Sequence, residues 1–206
     1  NGRISSIDPL SILDKIEKLN ISFTLIDDLE AIDDHVDLQY LDAENSGIKS
    51  LAHLKDLINL QYLNIANTLV NDLSPLFDLP HLQEINLDNT KISDLSHLKK
   101  DVNISIIHCD NTGVTLSDAM ELYKYLPESL IIYQSEDLQS WWSGISNPWQ
   151  DVFRDIIDFQ DDPDKLQLHR ISNIIELDLN GKNNIDNLYP IYPLQRLQAL
   201  KISGTA

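Results

Sequence analysis

The one stretch of this chain that sets a nucleophile beside a base and a carboxylate is His108-Cys109-Asp110. A thiolate next to an imidazole would suit covalent acyl transfer. The spacing argues against it. The three residues continue the run Ile104-Ser105-Ile106-Ile107, which reads as a β-strand, and consecutive strand side chains point to opposite faces. Cys109 is therefore expected in the core as a small hydrophobe, with His108 and Asp110 on the other side.

The remaining histidines, His35, His53, His81, His97 and His169, fall at unrelated places and read as surface polar residues rather than metal ligands. Asp28, Asp72, Asp94 and Asp186 recur beside turns, where each can accept local backbone N–H groups. They do not form the clustered acidic loop of a calcium site. The sequence contains no phosphate-binding glycine loop, no zinc-protease helix and no G-x-S-x-G elbow. It thus predicts no catalytic residue, no cofactor and no metal.

With 33 acidic and 15 basic side chains among 206 residues, the net charge is −18. Such a surface repels phosphate backbones and anionic lipid, which makes nucleic acid a poor partner. The 42% apolar content supplies ample core, but no run approaches the roughly 18 apolar residues of a bilayer-spanning helix, so membrane insertion is not expected. A single cysteine excludes an intramolecular disulfide framework and a multi-thiolate zinc site. The start Asn1-Gly2-Arg3 has neither the basic end nor the apolar run of a signal peptide.

The elements that would position any site follow from a repeat. Leu38-Gln-Tyr-Leu41-Asp-Ala43, Leu60-Gln-Tyr-Leu63-Asn-Ile65 and Leu82-Gln-Glu-Ile85-Asn-Leu87 begin 22 residues apart, and the same period reaches Ile16 backwards and Ile104 forwards. Within a unit, apolar residues occupy the first, fourth, sixth, eleventh, fourteenth, seventeenth and usually twentieth places, as in Leu60, Leu63, Ile65, Val70, Leu73, Leu76 and Leu79. Alternation at the fourth and sixth places is a half-buried strand, and the later steps of three suit a tight 3₁₀-like return. A single unit cannot bury enough to offset about 1–2 kcal/mol of backbone entropy per residue. Stacked units sharing one core and pairing their strands in parallel form a solenoid.

These units resemble leucine-rich repeats of the 22-residue bacterial kind found in internalins, with the pattern L-x-x-L-x-L-x-x-(N/T)-x-I-x-D-L-x-P-L-x-x-L-x-x. The resemblance covers about residues 1–114 and resumes near Ile174, and Leu60 to His81 follow it at nearly every position, including Asp72, Leu73, Pro75 and Leu76. It implies an α/β fold, a right-handed leucine-rich repeat solenoid with a parallel concave β-sheet, here interrupted by a helical insertion. One departure is systematic. The ninth-place Asn is replaced by Thr24, Ser46, Thr68, Thr90 and Thr112, with Asn45, Asn67, Asn89 and Asn111 one place earlier. A ladder of hydroxyls can still bond the turn backbone.

After Val114, helical spacing of Leu116, Ala119, Met120, Tyr123 and Leu126 behind Thr115 or Ser117 predicts a helix over 116–126, stopped by Pro127, and Ser129 to Tyr133 read as a sixth strand. Residues 135–160 carry Trp141, Trp142 and Trp149 but no repeat. Asn147-Pro148-Trp149-Gln150 has the form of a capping box and predicts a helix over 148–157, able to cover a solenoid end with Trp149, Val152, Phe153 and Ile156; an aromatic platform for carbohydrate or peptide is the other reading. Repeats resume at Ile174 and Leu197, 23 residues apart, the extra residue falling in Lys182-Asn183-Asn184. The expected organisation is a first array over 1–134, a Trp-containing helical cap or linker over 135–170 and a second array over 171–206. Both ends fall mid-unit, Asn1 at an eighth place and Thr205 at a ninth, as expected of a piece of a longer repeat protein.

Strand alternation sends the third, fifth and seventh places of each unit to the concave solvent face. The third places are Lys18, Tyr40, Tyr62, Glu84 and Ile106, the fifth Asn20, Asp42, Asn64, Asn86 and His108, and the seventh Ser22, Glu44, Ala66, Asp88 and Asp110. The candidate partner-binding residues are accordingly Tyr40, Asp42, Glu44, Tyr62, Asn64, Glu84, Asn86, Asp88, Ile106, His108 and Asp110. Tyrosines anchor protein interfaces and carboxylates favour a basic partner; the competing reading is cross-strand stacking on a solvated sheet. The function expected is a non-catalytic module that binds a protein or peptide through this face. Two alternatives stay open, self-association and a substrate-recognition arm of an enzyme whose catalytic domain lies elsewhere. The resemblance implies a bacterial binding protein, exported or at the cell surface, with the cytoplasm as the alternative.

Overall fold

The computed structural model describes residues 4–13, 15–100, 103–182 and 184–204. The placings of Asn1, Asn183 and Thr205 lie outside the described residues. Two compact units divide the chain, Asn1–Tyr133 and Gln134–Ala206.

In the first unit each repeat contributes a three-residue strand: β1 (Lys18–Asn20), β2 (Tyr40–Asp42), β3 (Tyr62–Asn64), β4 (Glu84–Asn86), β5 (Ile106–His108) and β6 (Leu130–Ile132). They pair in sequence order into one six-stranded parallel sheet. The register follows the repeat, so that Tyr40 faces Tyr62 and Tyr62 faces Glu84. The seven apolar places of the unit beginning at Leu60 are all buried, with corresponding residues of neighbouring units continuing one core from Ile7 to Ile131.

The return paths are the tight turns that steps of three demand. Single 3₁₀ turns occupy Glu30–Ile32, Ala52–Leu54, Ser74–Leu76 and Ser96–Leu98. A polar side chain two residues ahead fixes each entry by accepting a backbone N–H: Asp28 from Glu30 at 2.9 Å, Ser50 from Ala52 at 3.2 Å, Asp72 from Ser74 at 2.8 Å and Asp94 from Ser96 at 2.7 Å. Asp186 departs from this expectation. The extra residue of its repeat shifts the place by one, and Asn187 accepts the Tyr189 N–H at 3.0 Å while Asp186 accepts from the Asn187 side chain.

Leaving the strand, the chain turns through a left-handed residue. Asn45, Asn67, Asn89 and Asn111 hold φ between 52° and 58°, a region Asn tolerates better than most residues. That conformation explains the displaced asparagine, which the sequence pattern alone left without a role. The hydroxyl one place on then donates to the strand's last core carbonyl, Thr68 to Ile65, Thr90 to Leu87 and Thr112 to Cys109, each at 2.7 Å, and Thr24 to Ile21 at 2.6 Å.

Helix α1 (Leu116–Leu122) replaces the 3₁₀ return of the fifth repeat, capped by Thr115 in a reciprocal box with Asp118. It ends four residues short of the expected Leu126, the remainder running as turn, so Pro127 is not what stops it.

The second unit holds α2 (Ser135–Gly144), α3 (Asn147–Ile157), α4 (Lys165–Ser172) and a parallel pair, β7 (Glu176–Asp178) and β8 (Ala199–Lys201). All three tryptophans share one core with Phe153, Ile171, Leu177 and Leu179. Two expectations need correction. The cap of α3 is Ser146, and Gln150 closes no box because its amide donates to the Trp142 carbonyl at 3.1 Å. Ile156 is exposed, whereas Trp141 and Trp142 of the unexpected α2 are buried. Two of the histidines are also buried rather than on the surface: His35, whose ring bonds the Leu10 carbonyl at 3.1 Å, and His169, at 2.9 Å from the Ser135 hydroxyl.

Candidate partner-binding surface

The tyrosines of the third place form the centre of the first unit's sheet face. Because β2 and β3 pair in register, Tyr40 and Tyr62 lie one strand apart, and their rings stack with centroids 4.5 Å apart and planes 5° from parallel. Neither packs into the core cluster. The stack sits in a negative field. Burial pushes the Tyr62 hydroxyl up to about 12, reinforced by Tyr40 and by the carboxylates of Glu84, Asp42 and Glu44. Tyr40 is raised by burial and then by Asp42 and Glu84.

The fifth-place row has a different occupation. Asn20, Asp42, Asn64 and Asn86 each turn a side-chain oxygen back to the backbone N–H two residues on, at 2.9, 3.1, 3.1 and 3.0 Å. These side chains terminate strands. Lateral contacts bind the row together: Asn20 donates to Asp42 at 3.2 Å, and Glu44 accepts from Asn64 at 3.4 Å and from Asn67 at 3.2 Å. Asn64 is consequently only 5% exposed and Ala66 3%. Strand alternation placed both in solvent, but Glu44 reaches from the neighbouring repeat to the Asn64 and Asn67 side chains.

Toward β5, the His108 ring lies 3.5 Å from the Glu84 carboxylate, and the Asp110 N–H donates to the Asp88 carboxylate at 2.7 Å. Ile106 is half-buried beside Leu130 of β6, where Ile132 is wholly buried. The structure therefore brings Tyr40, Asp42, Glu44, Tyr62, Glu84, Asn86, Asp88, Ile106, His108 and Asp110 onto one half-buried face.

Cys109 is 1% exposed and its thiol contacts the Ile132 carbonyl at 3.3 Å. It faces the core while His108 sits on the sheet face, so the two do not form a dyad. Among the described residues, no group of three His, Cys, Asp or Glu side chains is placed to hold a metal ion, and no helix is long and apolar enough to cross a membrane.

A family model of leucine-rich repeats in two copies matches residues 58–100. The 22-residue units are leucine-rich repeats by fold, and residues 58–100 match that family in sequence. Solved structures carry the likeness over most of the chain's length. Internalin C2 of Listeria monocytogenes superposes with a TM-score of 0.59 at 19% identity, over 98% of this chain and 67% of that one. The internalin InlF of the same organism gives 0.54 at 18% identity, over 98% and 65%. A leucine-rich repeat protein of Leptospira interrogans gives 0.59 at 22% identity, over 64% and 34%. The chain thus spans from one third to two thirds of the length of these neighbours, which share its fold. No curated protein sequence matches it significantly.

Proposed function

We propose that the chain binds a protein or peptide bearing an exposed lysine or arginine through the sheet face of its first unit, without catalysis. The observation that carries this reading is the parallel Tyr40–Tyr62 stack, at 4.5 Å, ringed by Asp42, Glu44 and Glu84. Two flat rings give a large contact area at little entropic cost, and an aromatic face edged by carboxylates attracts a cation on both counts. The fifth-place side chains, engaged in ending their strands, hold the platform in shape.

The test compares wild type with the Tyr40→Ser/Tyr62→Ser variant in affinity capture from lysate and surface extract, read by mass spectrometry, after circular dichroism shows both folded. A partner retained by wild type alone, and released as salt is raised, supports the reading. Equal capture by both proteins, or none, sinks it.

A further inference from the structure

The unit Gln134–Ala206 contains a cleft of about 420 Å³ lined wholly by its own residues, within the roughly 300–1,000 Å³ range of ligand sites. One side is made by Trp141 and Ile145 at the junction of α2 and α3, the other by Tyr189, Pro190 and Tyr192 around a 3₁₀ turn, with Asp186 beside them. The Trp141 ring nitrogen donates to the Pro190 carbonyl at 3.1 Å, tying the two sides together. Trp141 itself is buried in the aromatic cluster, 5.4 Å from Phe153, so this wall is rigid.

Tyr189 is 85% exposed and Tyr192 64%. Residues three apart on a 3₁₀ turn eclipse one another, so both rings leave the same side of the turn. Folding does not ask for them. The first unit builds the equivalent turn with Glu30, Ala52, Ser74 or Ser96 where Tyr189 stands.

We propose that this cleft binds a proline-rich segment in the polyproline II conformation, with a lysine or arginine beside the prolines. That conformation is already formed in the free peptide, so little ordering entropy is lost on docking against aromatic ridges. Proline has no N–H to strand against the apolar walls, and the ligand's carbonyls can accept from the phenol hydroxyls. The Asp186 carboxylate accepts one bond from Asn187 at 2.7 Å and keeps further acceptor positions for a cation. A carbohydrate fits less well. The Asn187 amide is engaged at both ends, by the Tyr189 N–H and by Asp186, and the indole N–H is taken by Pro190, so the amide and the indole that could read sugar hydroxyls are bound within the protein.

The test is fluorescence anisotropy of the whole chain with a panel of labelled Pro-x-x-Pro peptides, with and without a flanking arginine, against counterparts in which every proline is alanine. Arginine-bearing Pro-x-x-Pro peptides are expected to bind best, and Tyr189→Ala and Tyr192→Ala each to weaken them by about tenfold, the scale of an interface anchor. Asp186→Asn should remove only the preference for arginine. Tyr40→Ser/Tyr62→Ser should change nothing here, which separates this site from the sheet face. Binding no better than that of the alanine counterparts, unchanged binding by the folded tyrosine variants, or capture of cellohexaose in place of the peptides would each overturn the assignment.

Discussion

Phe23 and Asn45 stand one repeat apart in the same left-handed backbone conformation, at φ 56° and 52°. Asn tolerates that region, but a bulky side chain does so at a cost of roughly 1–2 kcal/mol. Phe23 recovers little of this by burial, being 58% exposed. Phe23→Asn is therefore expected to stabilise the chain by about 1 kcal/mol, raising Tm by about 2–4 °C. Calorimetry showing an unchanged or lower Tm would mean that the Phe23 ring stabilises the fold through contacts that offset the strain.

A second position is limited by space. A Cβ placed on Gly113 would come 2.7 Å from the Ser93 Cβ, while one on Gly47 would meet Asp27 Cβ and the Ile26 carbonyl at 3.1 Å. Real Cβ atoms essentially do not approach within 3.0 Å of such neighbours, so adjacent coils must separate at Gly113 and only adjust at Gly47. Gly113→Ala is expected to cost about 1–3 kcal/mol, as overpacking does, and Gly47→Ala less. Adding Ser93→Gly should restore much of the loss at Gly113. Urea unfolding midpoints that rank the two alanine variants in the opposite order would contradict this geometry.

The repeat, the six parallel strands and the 3₁₀ returns were legible because each apolar place recurs 22 residues on and the register of Tyr40 with Tyr62 follows directly. The second unit was harder. Helix α4 carries a readable signal in its capping box, in which Asp164 accepts the Gln167 N–H and the Gln167 side chain accepts the Asp164 N–H. Helix α2 opens behind Gln134, with no side-chain cap, and buries the adjacent Trp141 and Trp142 rather than one regular stripe. On the sheet face, the rows of residues follow from alternation, but the burial of Asn64 does not. It depends on Glu44 reaching the Asn64 side chain from the neighbouring repeat, a tertiary fact that periodicity does not encode. The same holds for His35, buried by a bond to the Leu10 carbonyl 25 residues away.

The acidic setting of the tyrosine stack predicts an alkaline signature. Tyr62 has an ordinary value of 10.0 when unfolded and about 12 in place, so between these pH values the unfolded chain releases the proton first. The raised folded value makes this contribution to stability complete below pH 10 and progressively lost as pH rises toward 12. Tyr62→Phe should remove a late phenolate absorbance step and flatten the fall in stability across that window. Tyr133, raised to about 12 chiefly by burial, should keep its own late step in the variant. A Tyr62→Phe titration that loses its amplitude near pH 10, with the late step unchanged from wild type, would show that Tyr62 ionises with the other tyrosines.

The hydroxyl ladder separates two otherwise equivalent places. Thr68 is buried and donates to the Ile65 carbonyl at 2.7 Å, closing the turn after β3. Valine in its place keeps the shape and removes the donor, leaving a buried carbonyl short of its partner, so Thr68→Val is expected to cost about 1–3 kcal/mol. One repeat earlier, the Ser46 hydroxyl is buried without a hydrogen-bond partner among the described residues. Removing it relieves an unsatisfied polar group, and Ser46→Ala should be neutral or mildly stabilising. Equal losses in both variants, measured by chemical denaturation, would show that Ser46 bonds its turn as Thr68 does.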